Sequence, residues 1–215
     1  MTAVIDYGAG NLTSVLLALK FLGDDPVITG DPALLEQSDR IIFPGVGSAA
    51  SGMEGLKRKR LDEALKKCCV QNKPILAICL GMQMLLEFSE EDDGVNGLGL
   101  FPGKGKLFDF PPEQRIKVPH MGWNTVRQNG HALWKNIPDN SAFYFVHSYY
   151  VSADNASDVA GVTEYGDFEF VSAVARKNIF ATQFHPERSG ETGLQLLKNF
   201  LKWDTRAGRV MLSMC

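Results

Sequence analysis

Two kinds of hydrophobic spacing alternate through residues 1 to 90. Short unbroken apolar runs, "AVIDY" (3–7), "PVIT" (26–29), "RIIFPG" (40–45) and "PILAIC" (74–79), read as strands buried on both faces. Between them stand helical patterns: "NLTSVLLALKFLG" (11–23), "DPALLEQ" (31–37), a stretch from 48 to 71, and "LGMQMLLEF" (80–88). In the first of these, Leu12, Val15, Leu16, Leu19 and Leu22 fall on one helical face. Strands that alternate with helices predict a mostly parallel sheet covered on both sides. In such a sheet the ligand site lies beyond the carboxyl ends of the strands. The loops "DYGAGN", "FPGVGS" and "ICLGMQ" all follow strands and are expected to gather at that edge.

From about residue 94 the texture changes to glycine turns between strand-like runs: "GKGKLFDF", "KVPHMGWNTVR", "SAFYFVHSYYVS", "VAGVTEYG", "FEFVSAVARKN" and "IFATQFHPE". Short connections between consecutive strands predict antiparallel additions to the same sheet or a small second sheet. A helix returns in "ETGLQLLKNFLKW" (191–203). No Pro- and Ser-rich boundary separates the halves. The expected organisation is one α/β domain over 1–203 and a tail, 204–215, without a clear amphipathic period.

Composition narrows the function classes. A chain of 215 residues with 45% hydrophobic composition can bury a sizeable single core. Its net charge of -3 gives no reason to expect a nucleic-acid partner, and the one basic run, "LKRKR" (56–60), reads as a solvated helix face. No stretch approaches the length of a membrane span, and the first residues lead directly into a strand, so a soluble, cytoplasmic protein is expected. Four cysteines, two of them adjacent (Cys68 and Cys69), suit reduced thiols better than a disulfide framework. No cysteine and histidine cluster has metal-ligand spacing, and neither a metal nor a cofactor is expected.

Cys79 stands where a buried strand turns directly into a helix, with Gly81 to allow a tight turn. Such an elbow exposes its middle side chain near the first free N–H groups of the helix, which favour an anion, and the thiolate is the nucleophilic form. A cysteine in an apolar run serves equally well as a small buried hydrophobe; the elbow tips the choice toward a nucleophile. A thiol nucleophile needs a base, and the base needs an orienting partner. "FATQFHPERS" supplies His185 at a strand end and Glu187 two residues on, so an extended backbone puts both side chains on one side. A third requirement of acyl transfer is an oxyanion site, and "FPGVGS" offers free N–H groups in a glycine-bounded turn.

"CLGMQ", "HPE" and "PGVGS" together resemble the class I, triad-type glutamine amidotransferases. "DYGAGNLTS", "KVPHMGWN" and "YFVHSYY" are similar to one branch, the amidotransferase subunits of imidazole glycerol phosphate synthases, and the likeness extends over residues 2 to 203. Sister branches generally show His where this chain has Met82. The resemblance implies a flavodoxin-like fold of the class I type, in which Cys79 attacks the side-chain amide of glutamine, His185 shuttles protons and Glu187 orients it. By the same resemblance the N–H groups of Val46 and Leu80 hold the oxyanion, and Gly47, Gln83, Glu91, Ser148 and Tyr149 line the glutamine pocket. The implied partner is a separate (β/α)8-barrel cyclase subunit that receives the ammonia. Asn11, Ser14, His120, Met121, Trp123, Tyr144 and Arg188 match family positions at that interface, Arg188 standing where many relatives carry Lys.

Several sister enzymes have glycine in place of Val46, and a β-branched residue is poorly suited to an inverted peptide there. This predicts a resting subunit with its oxyanion N–H turned away until the partner and its nucleotide shift the loop. Competing readings are another class I amidotransferase, a free cysteine hydrolase on a similar scaffold, and a binding subunit without activity.

Overall fold

The computed structural model describes residues 1–8 and 12–205. Asn11 and residues 206–215, most of the expected tail, lie outside the described residues.

The first half is the predicted alternation. Strand β1 (Thr2–Ile5) is followed by α1 (Leu12–Phe21), β2 (Val27–Thr29), α2 (Pro32–Gln37) and β3 (Arg40–Gly45). Then come α3 (Ala49–Arg58), α4 (Leu61–Val70), β4 (Ile75–Cys79) and α5 (Leu80–Met84). The expected helical stretch from 48 to 71 is thus two helices, broken where Arg60 turns left-handed at φ 57°. Helix α2 starts where its sequence says it should: Pro32 opens it and the Asp31 carboxylate accepts a hydrogen bond from the Ala33 N–H. Strands β2, β1, β3 and β4 lie side by side in parallel.

Why these strands read as unbroken apolar runs is visible in their two faces. Ile75 and Ala77 of β4 join one core, with Phe43, Leu65 and Met82, whereas Leu76 and Ile78 join the other, with Val15, Phe180 and Leu197. Both faces are covered, so every position is apolar. Each fully buried Leu, Ile or Phe contributes roughly 1.5 to 3 kcal/mol by leaving water.

The second half is largely antiparallel. After β5 (Leu86–Ser89) and β6 (Val95–Asn96) come β7 (Phe101–Leu107), β8 (His120–Gln128), β9 (Ser141–His147) and β10 (Tyr149–Ala153). Strands β11 (Val159–Tyr165), β12 (Phe168–Arg176) and β13 (Ile179–Thr182) and helix α6 (Gly190–Leu201) complete the described chain. The main sheet runs β2-β1-β3-β4-β13-β12-β10-β7-β5-β6, and β12 also carries β11, to which β8 and then β9 are added. Strand β13 lies parallel to β4, pairing Thr182 with Ile78. Because of that pairing, the segment after β13 arrives beside the end of β4.

One expected helix is much shorter than its sequence suggests. The run 80–88 is helical only from Leu80 to Met84, and all five residues are buried, so it has no polar face to extend in solvent. The carbonyls of Met84, Leu85 and Leu86 accept hydrogen bonds from the N–H groups of Leu98, Leu100 and Gly99. Pairing with this later segment takes the acceptors that a longer helix would have used, and the chain leaves α5 as strand β5.

Among the described residues Cys68, Cys69 and Cys79 are free. No described helix is long and apolar enough to cross a membrane, and no group of described side chains has the make-up of a metal site.

Candidate active site

Cys79 adopts φ 54° and ψ −111°, a conformation outside the ordinary regions for a residue with a side chain. A strained backbone of this kind costs on the order of 1 to 3 kcal/mol and persists because its surroundings hold it. Gly81 is part of that hold: a Cβ there would lie 2.1 Å from the Phe43 carbonyl oxygen, so only glycine lets α5 lie this close to β3. Parallel register pairs Gly45 with Cys79, and this brings the loop carrying Val46 and Gly47 beside the thiol.

His185 lies just beyond β13 and is locked by its own backbone. Its N–H donates to the Tyr144 carbonyl at 2.9 Å, and its carbonyl accepts from the Ser189 hydroxyl at 2.6 Å. Nδ1 sits 2.7 Å from Oε1 of Glu187, and the two side chains are only 5% and 3% exposed. Nε2 is buried with no hydrogen bond of normal geometry. Burial by itself would keep the imidazole neutral; the Cys79 sulfur, through charge and weak hydrogen bonding, and then Glu187 outweigh it and raise His185 to about 10. The groups at its two nitrogens thus favour the protonated ring, which faces the sulfur.

A cavity of about 350 Å³ opens onto Cys79 and His185. Val46, Gly47, Leu80, Gln83, Glu91, Ser148 and Tyr149 line it. All the residues expected from sequence at the glutamine pocket and oxyanion site thus border one space, while Glu187 stands behind His185. Pro119, Val146 and His147 complete the lining and were not expected. Glu91 accepts a hydrogen bond from the Ala49 N–H at the start of α3 at 2.8 Å. Burial raises its carboxyl above the ordinary value, the Ala49 bond opposes this, and Asp92 adds to it. A carboxylate on the wall suits the ammonium group of an amino acid.

Gln83 is fixed by two acceptors. Its amide nitrogen donates to the Tyr149 carbonyl at 2.9 Å and to Oε1 of Gln183 at 3.0 Å. Gln183, fully buried, in turn directs its Nε2 toward Cys79 Sγ at 3.7 Å. No sequence signal had singled out Gln183 or His147.

The expected partner face divides. Met121 and Trp123 are 66% and 59% exposed on one side of β8. Trp123 pairs across the ladder with Tyr144, their rings edge to face, and the Arg188 guanidinium lies over the Tyr144 ring at 5.0 Å. Ser14 borders a separate cavity of about 290 Å³, which Glu187 also lines from behind the triad. His120, expected with the outward group, points inward instead: period-two alternation on β8 puts it opposite Met121, and its ring is buried against Tyr165 and Phe145. Burial depresses both neighbouring imidazoles, His120 to about 4 and His147 to about 3.

A strained cysteine at a strand-to-helix elbow, a histidine backed by a buried carboxylate and a small pocket with an acidic wall thus meet beyond the ends of parallel strands β3, β4 and β13. The model of the glutamine amidotransferase class-I family matches residues 3–203, and the chain belongs to that family. It is 50% identical to imidazole glycerol phosphate synthase subunit HisH of Acinetobacter baylyi over 204 residues, 94% of this chain and 98% of that one. Subunit HisH 1 of Pseudomonas aeruginosa is 49% identical over 209 residues, 95% and 97% of the two chains. Two solved structures share the fold: PurLQS from Thermotoga maritima (TM-score 0.72, 18% identity, 94% of this chain and 97% of that chain) and the glutaminase domain of Trypanosoma brucei CTPS (0.65, 18%, 94% and 94%).

Proposed function

We propose that this chain is the glutaminase subunit of an imidazole glycerol phosphate synthase, with Cys79, His185 and Glu187 as its triad. The observation that carries the reading is the single cavity in which the Cys79 sulfur, His185 with Glu187 behind it, and the Val46–Gly47 loop meet. The near-full-length identity to two such subunits supports the choice of branch.

Cys79 Sγ attacks the side-chain amide carbon of glutamine, and the C–S bond forms as the carbonyl electrons move to oxygen. N–H groups of Val46 and Leu80 receive that oxyanion. His185, already protonated, gives its proton to the nitrogen; the C–N bond breaks and ammonia leaves a glutamyl thioester. Water then loses a proton to His185 and attacks the thioester, the C–S bond breaks, and glutamate departs with the thiolate and the protonated His185 restored. Glu187 keeps Nδ1 of His185 protonated throughout. Gly47, Gln83, Glu91, Ser148 and Tyr149 hold the substrate, Glu91 facing its ammonium group.

The ammonia passes to a separate (β/α)8-barrel cyclase subunit that docks on the face carrying Met121, Trp123, Tyr144 and Arg188, with contacts also to Ser14 and, by the family resemblance, to Asn11, and forms imidazole glycerol phosphate and an aminoimidazole carboxamide ribotide. A large exposed aromatic such as Trp123 suits an interface anchor. The bulk of Val46 keeps the oxyanion peptide turned away until the partner and its nucleotide shift the loop.

Glutaminase activity of the chain alone, with the cyclase, and with cyclase plus its nucleotide substrate tests this, each repeated with Cys79→Ala. Stimulation at each addition is expected, with Cys79→Ala inactive in all three. Activity that survives Cys79→Ala rules out the mechanism, and stimulation by a different synthase instead rules out the branch.

A further inference from the structure

The imidazoles of His120 and His147 face each other across the β8–β9 ladder, and their hydrogen bonds run in one direction only. A carbonyl oxygen can only accept, so Nδ1 of His147, 2.8 Å from the Tyr149 oxygen, carries the hydrogen. In a neutral ring Nε2 is then an acceptor, and Nδ1 of His120, 3.0 Å away, must donate to it. Nε2 of His120 accepts in its turn from the Asn124 side-chain amide at 3.3 Å, whose nitrogen also donates to the Glu164 carbonyl at 2.7 Å. No ring nitrogen in this chain is free to take a proton. His147 lines the cavity but cannot replace His185 as its base.

Everything in the chain ends on one atom, the carbonyl oxygen of Tyr149. That oxygen has a second donor, Gln83, whose remaining amide hydrogen goes to Gln183, the residue directed at the Cys79 sulfur. We propose that His147, itself fixed by His120, is a positioning residue of the glutamine pocket: it holds the Tyr149 carbonyl, which with Gln183 takes both amide hydrogens of Gln83 and so leaves the Gln83 amide oxygen as the atom presented to substrate. The inference rests on Cys79 being the nucleophile and on this cavity taking glutamine. Phe108 and Phe170 pack the His147 ring, at centroid distances of 5.3 and 5.2 Å, so a phenyl group can occupy its place while the hydrogen bonds are lost.

The test compares KM with kcat in the assembled synthase, with active sites counted by a covalent glutamine analogue. His147→Phe is expected to raise KM for glutamine about tenfold, with kcat per active site within about threefold, the signature of lost substrate positioning. His147→Gln can still accept from His120 and donate to Tyr149, and is expected to bring KM back to within about threefold of wild type. Should His147→Phe fail to fold, His120→Phe and Asn124→Ala cut the same chain further out, and each is expected to raise KM about threefold. An unchanged KM in every folded variant, or fewer active sites with normal KM in those that remain, overturns the inference. Protection of Cys79 from iodoacetamide by glutamine separates the two readings. Failure of wild type to be protected removes the pocket assignment itself, whereas equal protection of wild type and His147→Phe removes only the positioning role.

Discussion

The two sides of one cavity bury histidines in surroundings that favour opposite charge states. On the β13 side, His185 is raised to about 10; on the β8–β9 side, His147 is held near 3 and His120 near 4. Depth does not separate them, since all three rings are at most 6% exposed. Their partners do. His185 has a carboxylate on one nitrogen and a sulfur before the other, which reward a positive ring, while His147 and His120 have a carbonyl, an amide and each other, which are satisfied by neutral ones. A buried imidazole becomes a proton carrier or a rigid spacer according to what stands at its two nitrogens.

Removing the carrier should have the largest effect. His185→Gln is expected to lower kcat for glutamine about a thousandfold or more, measured as ammonia release by the assembled enzyme, because both the acid and the base steps lose their group. Glu187→Gln keeps the ring but weakens the support for its charge, and about a hundredfold loss is expected. Its alkaline limb should also move to lower pH, since less of the rise in His185 remains. If Glu187→Gln leaves both kcat and that limb unchanged, the carboxylate does not support the cation.

Stability against pH gives the smallest effect, and it has opposite signs in the two regions. Between the unfolded value of about 6.5 and about 10, the folded chain holds the extra proton on His185, so its contribution is full below 6.5 and is lost as pH rises through 10. For His120 and His147 the unfolded chain binds the extra proton, so stability falls as pH drops from about 6.5 toward 4 and 3. Each group can add a slope of about 1.4 kcal/mol per pH unit in its own window. Urea unfolding across pH should show His185→Gln flattening the alkaline side and His147→Gln the acid side; the reverse pattern would mean the charge states are misassigned.

Much of this was legible in the chain itself. Strict alternation of apolar runs with helical spacing gave the parallel half, and the strand-to-helix joint expected at Cys79 is the elbow between β4 and α5. The two-residue spacing of His185 and Glu187 anticipated a shared side, which the 2.7 Å contact meets through a tight turn rather than an extended strand. The length of α5 was hidden, because its end is set by residues 98 to 100 pairing with the carbonyls of 84 to 86, a tertiary competition that local propensity does not see. Gln183 and His147 were hidden for a related reason: their roles depend on hydrogen bonds to residues distant in sequence or at a strand crossing. The inward turn of His120 was readable in principle. Period two along "HMGWN" separates His120 and Asn124 from Met121 and Trp123, and reading the segment as one motif passed over that alternation.

The most direct measurement is where glutamine becomes covalently attached. Acid quenching of the synthase during turnover, followed by mass spectrometry of its peptides, should find a glutamyl thioester on the peptide containing Cys79 and none on the peptide containing Cys68 and Cys69. An adduct on those thiols, or turnover with no adduct even when Glu187→Gln slows its hydrolysis, would contradict Cys79 as the nucleophile that His185 serves.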